Sequence, residues 1–374
     1  MEKIDTIKMG RLHSLDALRG FDMFWIMGGE GIFIGLASLT GWPILKWWAY
    51  QQEHVQWHGF HFEDMIFPLF LFIAGISFSF SLAKRYQGTE NRKSLYRHVI
   101  KRGLILVLLG IIYNNAIQFD FLHLRYASVL GRIGLAWMFA ALIFMNSNLK
   151  FRIIWVSGIL VFYWLLLLIF PAHDLGTFDP FSPQGNLAGF IDRHFLPGSF
   201  CCYTYGDSEG ILSTIPAIST ALLGMLTGQF LMSKYLHEKP IRKVLYMALA
   251  AIGLIIIGII WNLSFPINKY LWSSSFVCFV GGLSLLLFSL FYLIIDIWNY
   301  RKWAFFFVVI GMNPITIYLA DRIINFSSAS KFFFGGFISL FPGSWTPFWS
   351  GVAITTVSWI FLYILYKKKI FLKV

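Results

Sequence analysis

Residues 65–82 read MIFPLFLFIAGISFSFSL, eighteen consecutive positions without a charge. A helix of that length rises about 27 Å, close to the hydrocarbon thickness of a bilayer. A buried strand is far shorter, and a surface helix of a soluble protein carries one polar face. The stretch reads as a membrane span, with Glu63 and Asp64 before it and Lys84 and Arg85 after it. Runs of the same character recur near 15–37, 99–117, 127–146, 152–170, 211–232, 243–262, 273–295, 304–323 and 347–366. With 63–83 they make about ten spans. The expected fold is all-α, a polytopic transmembrane helix bundle forming a single domain over residues 1–374.

Composition agrees. Of 374 residues, 57% are hydrophobic and only 13% charged, against about a quarter charged in a soluble domain. The formal charge is +12, but the basic residues sit in short clusters between apolar runs and not along one face. They read as topology signals in a lipid bilayer, and a nucleic-acid partner is excluded. With a cytoplasmic amino terminus, the inner segments hold 22 of the 30 Lys and Arg and the outer ones 6, with Arg19 and Arg132 inside helices. Both termini are therefore expected in the cytoplasm.

Between the spans, residues 171–210 form an outer loop rich in Gly, Pro, Asp and Ser, long enough to be functional. The segment 42–57 is expected to be a helix on the membrane surface that ends at His54. The patch 332–341 is too short to span and suits a re-entrant or interfacial position. Cys201 and Cys202 are neighbours and are not expected to bridge, because that geometry is strained. Cys278 lies in an apolar run, and nothing has metal spacing.

Charges within membrane helices are costly and need a reason. Asp16 and Arg19, three apart on one helical face, read either as a local ion pair or as a site for ligand phosphates. Glu30 sits among Gly28, Gly29 and Gly31, which permit close approach by a helix or a ligand. The densest titratable cluster is Glu53, His54, His58, His61, Glu63 and Asp64, at the outer mouth of the second span. Histidine there can relay a proton or carry an acyl group, with Asp64 near enough in sequence to orient it. Gly59 argues for a turn and against one metal-binding helix face. Asp207 and Glu209 precede the sixth span, either as an N-terminal cap or as a lure for a cationic amine. Arg132 either snorkels to the interface or reaches inward to an anion. Asn313-Pro314 breaks the ninth span, with Asp321 and Arg322 beyond it as candidate partners.

Taken in order, several of these segments resemble the heparan-α-glucosaminide N-acetyltransferases in a compact bacterial form. They are Arg11-Leu12-x-Ser14-x-Asp16-x-x-Arg19-Gly20, His54-x-x-Trp57-x-Gly59 and Asp64-x-x-Phe67-Pro68. Gly189-Phe190-Ile191-Asp192-Arg193, Glu209-Gly210-Ile211-Leu212-Ser213-Thr214, Asn268-Lys269-x-Leu271-Trp272-Ser273 and Gly311-Met312-Asn313 follow, and Tyr366-Lys367-Lys368-Lys369 closes the set. The resemblance implies acetyl transfer from cytoplasmic acetyl-CoA to the amine of a terminal glucosamine on the outer side of a bacterial inner membrane. It needs no metal and adds a homodimer as a candidate assembly. It makes His54 the active-site histidine, as general base or acetyl acceptor, with Glu30 and Asp64 as its helpers. Glu30 departs from the family, which has an asparagine there. Candidate acceptor-binding residues are Trp57, Asp207, Glu209 and Asn313; candidate donor-binding residues are Asp16, Arg19 and Arg132. The inner basic residues Arg92, Lys93, Arg97, Lys101, Arg102, Arg242 and Lys243 either offer further partners for the donor phosphates or serve only as topology signals.

A thioester delivered from one side to an amine on the other requires a cavity crossing the protein, lined by the first two spans and the Asn313 region. The rival readings are an O-acyltransferase of a surface polysaccharide and a secondary transporter.

Overall fold

The computed structural model describes residues 11–87, 91–177, 179–235 and 238–372. The first ten residues and 88–90, part of the expected inner basic segments, lie outside that range. The chain folds as an all-α bundle. Helix α1 (His13–Phe24) passes through a π-turn (Trp25–Gly29) into α2 (Glu30–Thr40). Gly28 makes that turn, at φ 113°, a conformation open to glycine and strained for other residues. A short helix α3 (Pro43–Tyr50) precedes α4 (Glu63–Gln87), the most buried span, which packs against α9 (Thr214–Met232). Between them come α5 (Arg92–Tyr113), α6 (Val129–Asn146), α7 (Leu149–Ile169), the small α8 (Leu187–Phe195) and a hairpin, β1 (Cys202–Tyr203) with β2 (Gly206–Asp207). The second half adds α10 (Pro240–Trp261), α11 (Ser274–Phe291), α12 (Phe305–Gly311), α13 (Pro314–Ile323), α14 (Phe326–Ile338) and α15 (Thr346–Lys367).

Close backbone packing of small residues holds the core helices, as expected where lipid gives no hydrophobic drive between them. A Cβ on Gly224 of α9 would lie 2.0 Å from the Phe72 carbonyl oxygen of α4. One on Gly311 of α12 would meet the Asp16 carbonyl of α1 at 1.9 Å. These contacts hold α4 against α9 and α1 against α12, and α1 and α4 both carry walls of the candidate site.

Several expectations change. Among the described residues, eight helices are long and apolar enough to cross a membrane, or nine if α12 and α13, bent by 70° at Asn313, count as one. The remainder of the expected ten is α5, whose first three turns carry Arg92, Lys93, Arg97, Lys101 and Arg102. The surface helix stops at Tyr50, short of His54, because Gln51 is used to fold the chain back. Its side-chain oxygen accepts the Phe62 N–H at 3.1 Å and its carbonyl accepts the Glu63 N–H at 3.0 Å. Cys201 and Cys202 are joined in a disulfide, with Cys202 at φ 81° as the chain enters the hairpin. The loop 171–210 holds α8 and the hairpin. Asp321 and Arg322 are not paired, since consecutive helical residues diverge; Arg322 lies over the Tyr113 ring.

Candidate active site

The site grows from the loop that precedes α4. Gly59, at φ 117°, turns the chain there, and its N–H donates to the Ile267 carbonyl at 2.9 Å. His61 donates from Nδ1 to the Glu53 carbonyl at 2.7 Å. These bonds bring His54 back onto the first turn of α4, where Asp64 is fully buried. Asp64 Oδ2 accepts the His61 backbone N–H at 3.0 Å, and Oδ1 lies 2.9 Å from His54 Nδ1. A carboxylate only accepts, so the proton of this contact sits on Nδ1, and in the neutral imidazole Nε2 keeps its lone pair. The imidazole is about half exposed (48%), against none of the Asp64 side chain. One side of the relay is thus fixed and the other open.

Lys269 joins them from the segment between α10 and α11. Its Nζ lies 3.1 Å from each ring nitrogen of His54 and 3.6 Å from Asp64 Oδ1. Burial holds its ammonium below the usual lysine range, against the opposing charges of Asp64, Glu209 and Glu63. Neighbours lock the segment. Asn268 Oδ1 accepts the Leu271 N–H at 2.9 Å, and the Tyr270 hydroxyl donates to the Val55 carbonyl at 3.0 Å. Tyr270 also stacks on Trp57, whose indole N–H donates to the Phe181 carbonyl at 2.8 Å. The His58 imidazole lies near Asn268, at 3.3 Å, and burial lowers its pKa.

Across the space stands Arg125. It grips Asp207 with two hydrogen bonds, 2.8 and 2.6 Å, and also bonds Glu209. Burial alone would lower its pKa, but the two carboxylates outweigh burial and raise it above the ordinary value. Asp207 further accepts the N–H groups of Cys201 at 2.9 Å and Glu209 at 2.8 Å, so its oxygens are used within the loop. Behind it, Asp192 accepts the N–H groups of Ile211 and Asp207, and burial pushes its carboxyl up to about 6.

A cavity of about 270 Å³ opens between these walls. His54, Glu63, Lys269, Tyr270, Arg125, Glu209, Ser208 and Cys202 line its polar end; Met23, Ile26, Ile66 and Phe67 are among its apolar walls. A second cavity, about 250 Å³, carries Arg19, Ser77 and Arg102. Phe70, Leu130, Ile133, Pro314 and Ile315 line both, so the two meet at an apolar collar. Arg19 is held by Ser77 Oγ at 2.8 Å and by Asp16 Oδ1 at 3.5 Å, while Asp16 also pairs with Arg11 at 2.6 Å. Arg102 lies over the Trp137 ring at 4.5 Å, and its Nε has no hydrogen-bond partner.

The structure therefore brings His54, Asp64 and Glu209 together and places Arg19 at the far end. It sets other candidates aside from the cavities. Glu30 is half-buried at the start of α2, makes no side-chain hydrogen bond among the described residues and lines neither cavity. Trp57 and Asp207 brace the loops. Asn313 is buried and binds the tail, donating to the Ile370 carbonyl at 3.0 Å, while the next residue, Pro314, forms the wall. Arg132 does not snorkel and lines neither of these two cavities: it is 2% exposed, bonds Ser213 and lies 4.9 Å over the Trp272 ring. Sequence reasoning gave no site role to Lys269, Glu63 or Arg125. Lys269 lay within a recognised motif and Glu63 within the titratable cluster, while Arg125 carried no signal beyond being one of few outer arginines.

No family model matches the chain. Two curated proteins do, both named heparan-alpha-glucosaminide N-acetyltransferase. The protein from Homo sapiens is 27% identical over 429 aligned positions, covering 97% of this chain and 60% of that protein. The one from Mus musculus is 25% identical, covering 97% of this chain and 61% of its own length. The chain thus spans about three-fifths of the length of these relatives. By that match and by its helical membrane architecture, the chain is similar over nearly its whole length to the heparan-alpha-glucosaminide N-acetyltransferases.

Proposed function

We propose that the protein is a membrane acetyltransferase that moves an acetyl group from acetyl-CoA to the amine of a terminal glucosamine. The reading places both termini in the cytoplasm, the donor entering from that side of a bacterial inner membrane and the acceptor from the other. One observation carries it: the relay of Asp64, His54 and Lys269 faces a cavity that meets, across an apolar collar, a second one with two arginines.

Each part has a task. Arg19 and Arg102 offer charge-assisted hydrogen bonds to the phosphates of a nucleotide-like donor. The collar takes the thin pantetheine arm and keeps water from the thioester. Asp64 fixes the tautomer of His54, leaving Nε2 to take a proton from the amine as it attacks the carbonyl carbon. The Lys269 ammonium stabilises the negative charge that develops on the carbonyl oxygen. His54 then returns its proton to the leaving thiolate, which departs as CoA thiol. Glu209, anchored by Arg125, supplies negative charge beside the acceptor. The alternative, acetylation of His54 itself, uses the same Nε2.

The test is transfer from labelled acetyl-CoA to glucosamine by the purified protein in detergent, with His54→Ala as control. Transfer lost in a folded variant supports the reading, and transfer that persists removes His54 from the chemistry. No transfer by folded wild type to glucosamine or glucosamine-ended oligosaccharides overturns the function. A trapped acetyl-histidine would select the covalent route; a required ternary complex would exclude it.

A further inference from the structure

Two protons leave the nitrogen when a protonated amine becomes an amide. The reaction R–NH3+ plus acetyl thioester gives R–NH–acetyl, thiol and one free proton. His54 accounts for one of the two, taking it during attack and returning it to the thiolate. The other leaves before attack, because an ammonium has no lone pair, and the relay offers it no acceptor. Asp64 is buried and engaged by His54, by the His61 N–H and by Lys269.

Glu63 is placed for that step. It opens α4 and lines the same cavity as His54 and Lys269. Glu209, the other carboxylate on that wall, is committed to Arg125 and Ser208. Glu63 makes no side-chain hydrogen bond or ion pair among the described residues, and its Oε2 is buried without a partner. The charged groups near enough to act on it are Asp22 on α1, Glu30 at the head of α2, Asp64 on its own helix and Lys269 opposite. Three of these four are carboxylates. A buried acceptor oxygen without a donor is costly, and a substrate ammonium supplies both the donor and the charge.

We propose that Glu63 receives the acceptor's ammonium group and takes its first proton, delivering the free amine to His54. The inference rests on the acetyl-transfer reading above. In this step one N–H bond breaks, one carboxyl O–H bond forms, and the pair of electrons stays on nitrogen. The carboxyl then releases its proton through the open cavity before the next turnover. Glu63 is thereby needed for cationic amines, and an acceptor that is already neutral bypasses it.

The experiment compares Glu63→Gln and Glu63→Asp with wild type in detergent. Glucosamine is assayed across pH, and hydroxylamine, neutral at neutral pH, serves as second acceptor. For Glu63→Gln we expect kcat/KM with glucosamine to fall at least about tenfold where the amine is protonated. It should recover as pH rises and the free amine accumulates. Transfer to hydroxylamine, whose nitrogen loses only the proton that His54 handles, should fall no more than about twofold. Glu63→Asp should retain part of the glucosamine activity. Equal loss with both acceptors at every pH, or no loss with glucosamine, overturns the assignment to Glu63 while leaving acetyl transfer intact. Wild type inactive with both acceptors would instead remove the acetyl-transfer reading and this inference with it.

Discussion

In the proposed reaction His54 acts through what holds its far nitrogen. With Asp64 Oδ1 at 2.9 Å from Nδ1, the proton of that contact sits on Nδ1 and Nε2 keeps its lone pair. In Asp64→Asn the amide can turn its NH2 toward Nδ1, moving the ring proton to Nε2. We expect kcat to fall by about 10²–10⁴ with little change in KM for acetyl-CoA, measured by steady-state transfer. Retained kcat would make Asp64 a loop brace only. Asp192 gives a second residue-scale prediction. Burial raises its carboxyl from the ordinary 3.8 to about 6, so the folded loop favours the protonated form. Its contribution is fully present below pH 3.8 and is lost as pH rises through about 6. The loss is at most about 3 kcal/mol. Thermal unfolding between pH 4.5 and 7.5 should show a steeper decline in wild type than in Asp192→Asn; equal slopes would refute it. The sequence made part of this legible. His54 and Asp64 are ten residues apart, and their pairing is local. Lys269 lies 215 positions from His54, and no local pattern marks a lysine as the one that folding will place beside an imidazole.

Among the elements, spans were legible as apolar runs because the bilayer fixes their length. What the runs leave out is how polar residues spend their hydrogen bonds. The helix expected to reach His54 stops at Tyr50 because Gln51 is needed to turn the chain. Asn313-Pro314 did signal a break, and the resulting 70° bend puts Pro314 and Ile315 into the collar. The hairpin of the 171–210 loop hangs on Arg125, which is paired with Asp207 and Glu209 while only 19% of its side chain is exposed. Arg125→Met leaves two buried carboxylates without their cation. We expect a loss of about 3–5 kcal/mol, read as a lower unfolding midpoint in detergent. Arg125→Lys should fall between, since an ammonium cannot repeat the two-pronged grip. A midpoint unchanged in Arg125→Met would mean the clasp carries no stability.

At the scale of the whole molecule, the proposed chemistry depends on the two cavities acting as one path. Arg19 and Arg102 lie at one end and His54 at the other. In the proposed reaction the donor's charged head and its thioester would therefore meet different elements, α1 and α5 on one side, the loop before α4 on the other. The collar residues Phe70, Leu130, Ile133, Pro314 and Ile315 line both cavities, and in the proposed reaction they would set whether the arm passes. Ile133 is the residue to test, because it lines both cavities and its helix α6 is braced independently by α5 and α9. Ile133→Trp fills the collar with a side chain that has no charge to disturb the arginines or the relay. Acetyl transfer should then fall by at least about tenfold, as expected when the reacting atoms no longer meet in position. Binding of a CoA fragment lacking the pantetheine arm, 3′,5′-adenosine diphosphate, measured by calorimetry, should survive. Loss of both would mean that the substitution unfolds the bundle or that the phosphates bind elsewhere; Ile133→Ala, which widens the collar, separates these, since it should keep both activities if the bundle stands. Full transfer by Ile133→Trp would show that the thioester reaches His54 by another route, and the single path through the protein would have to be given up.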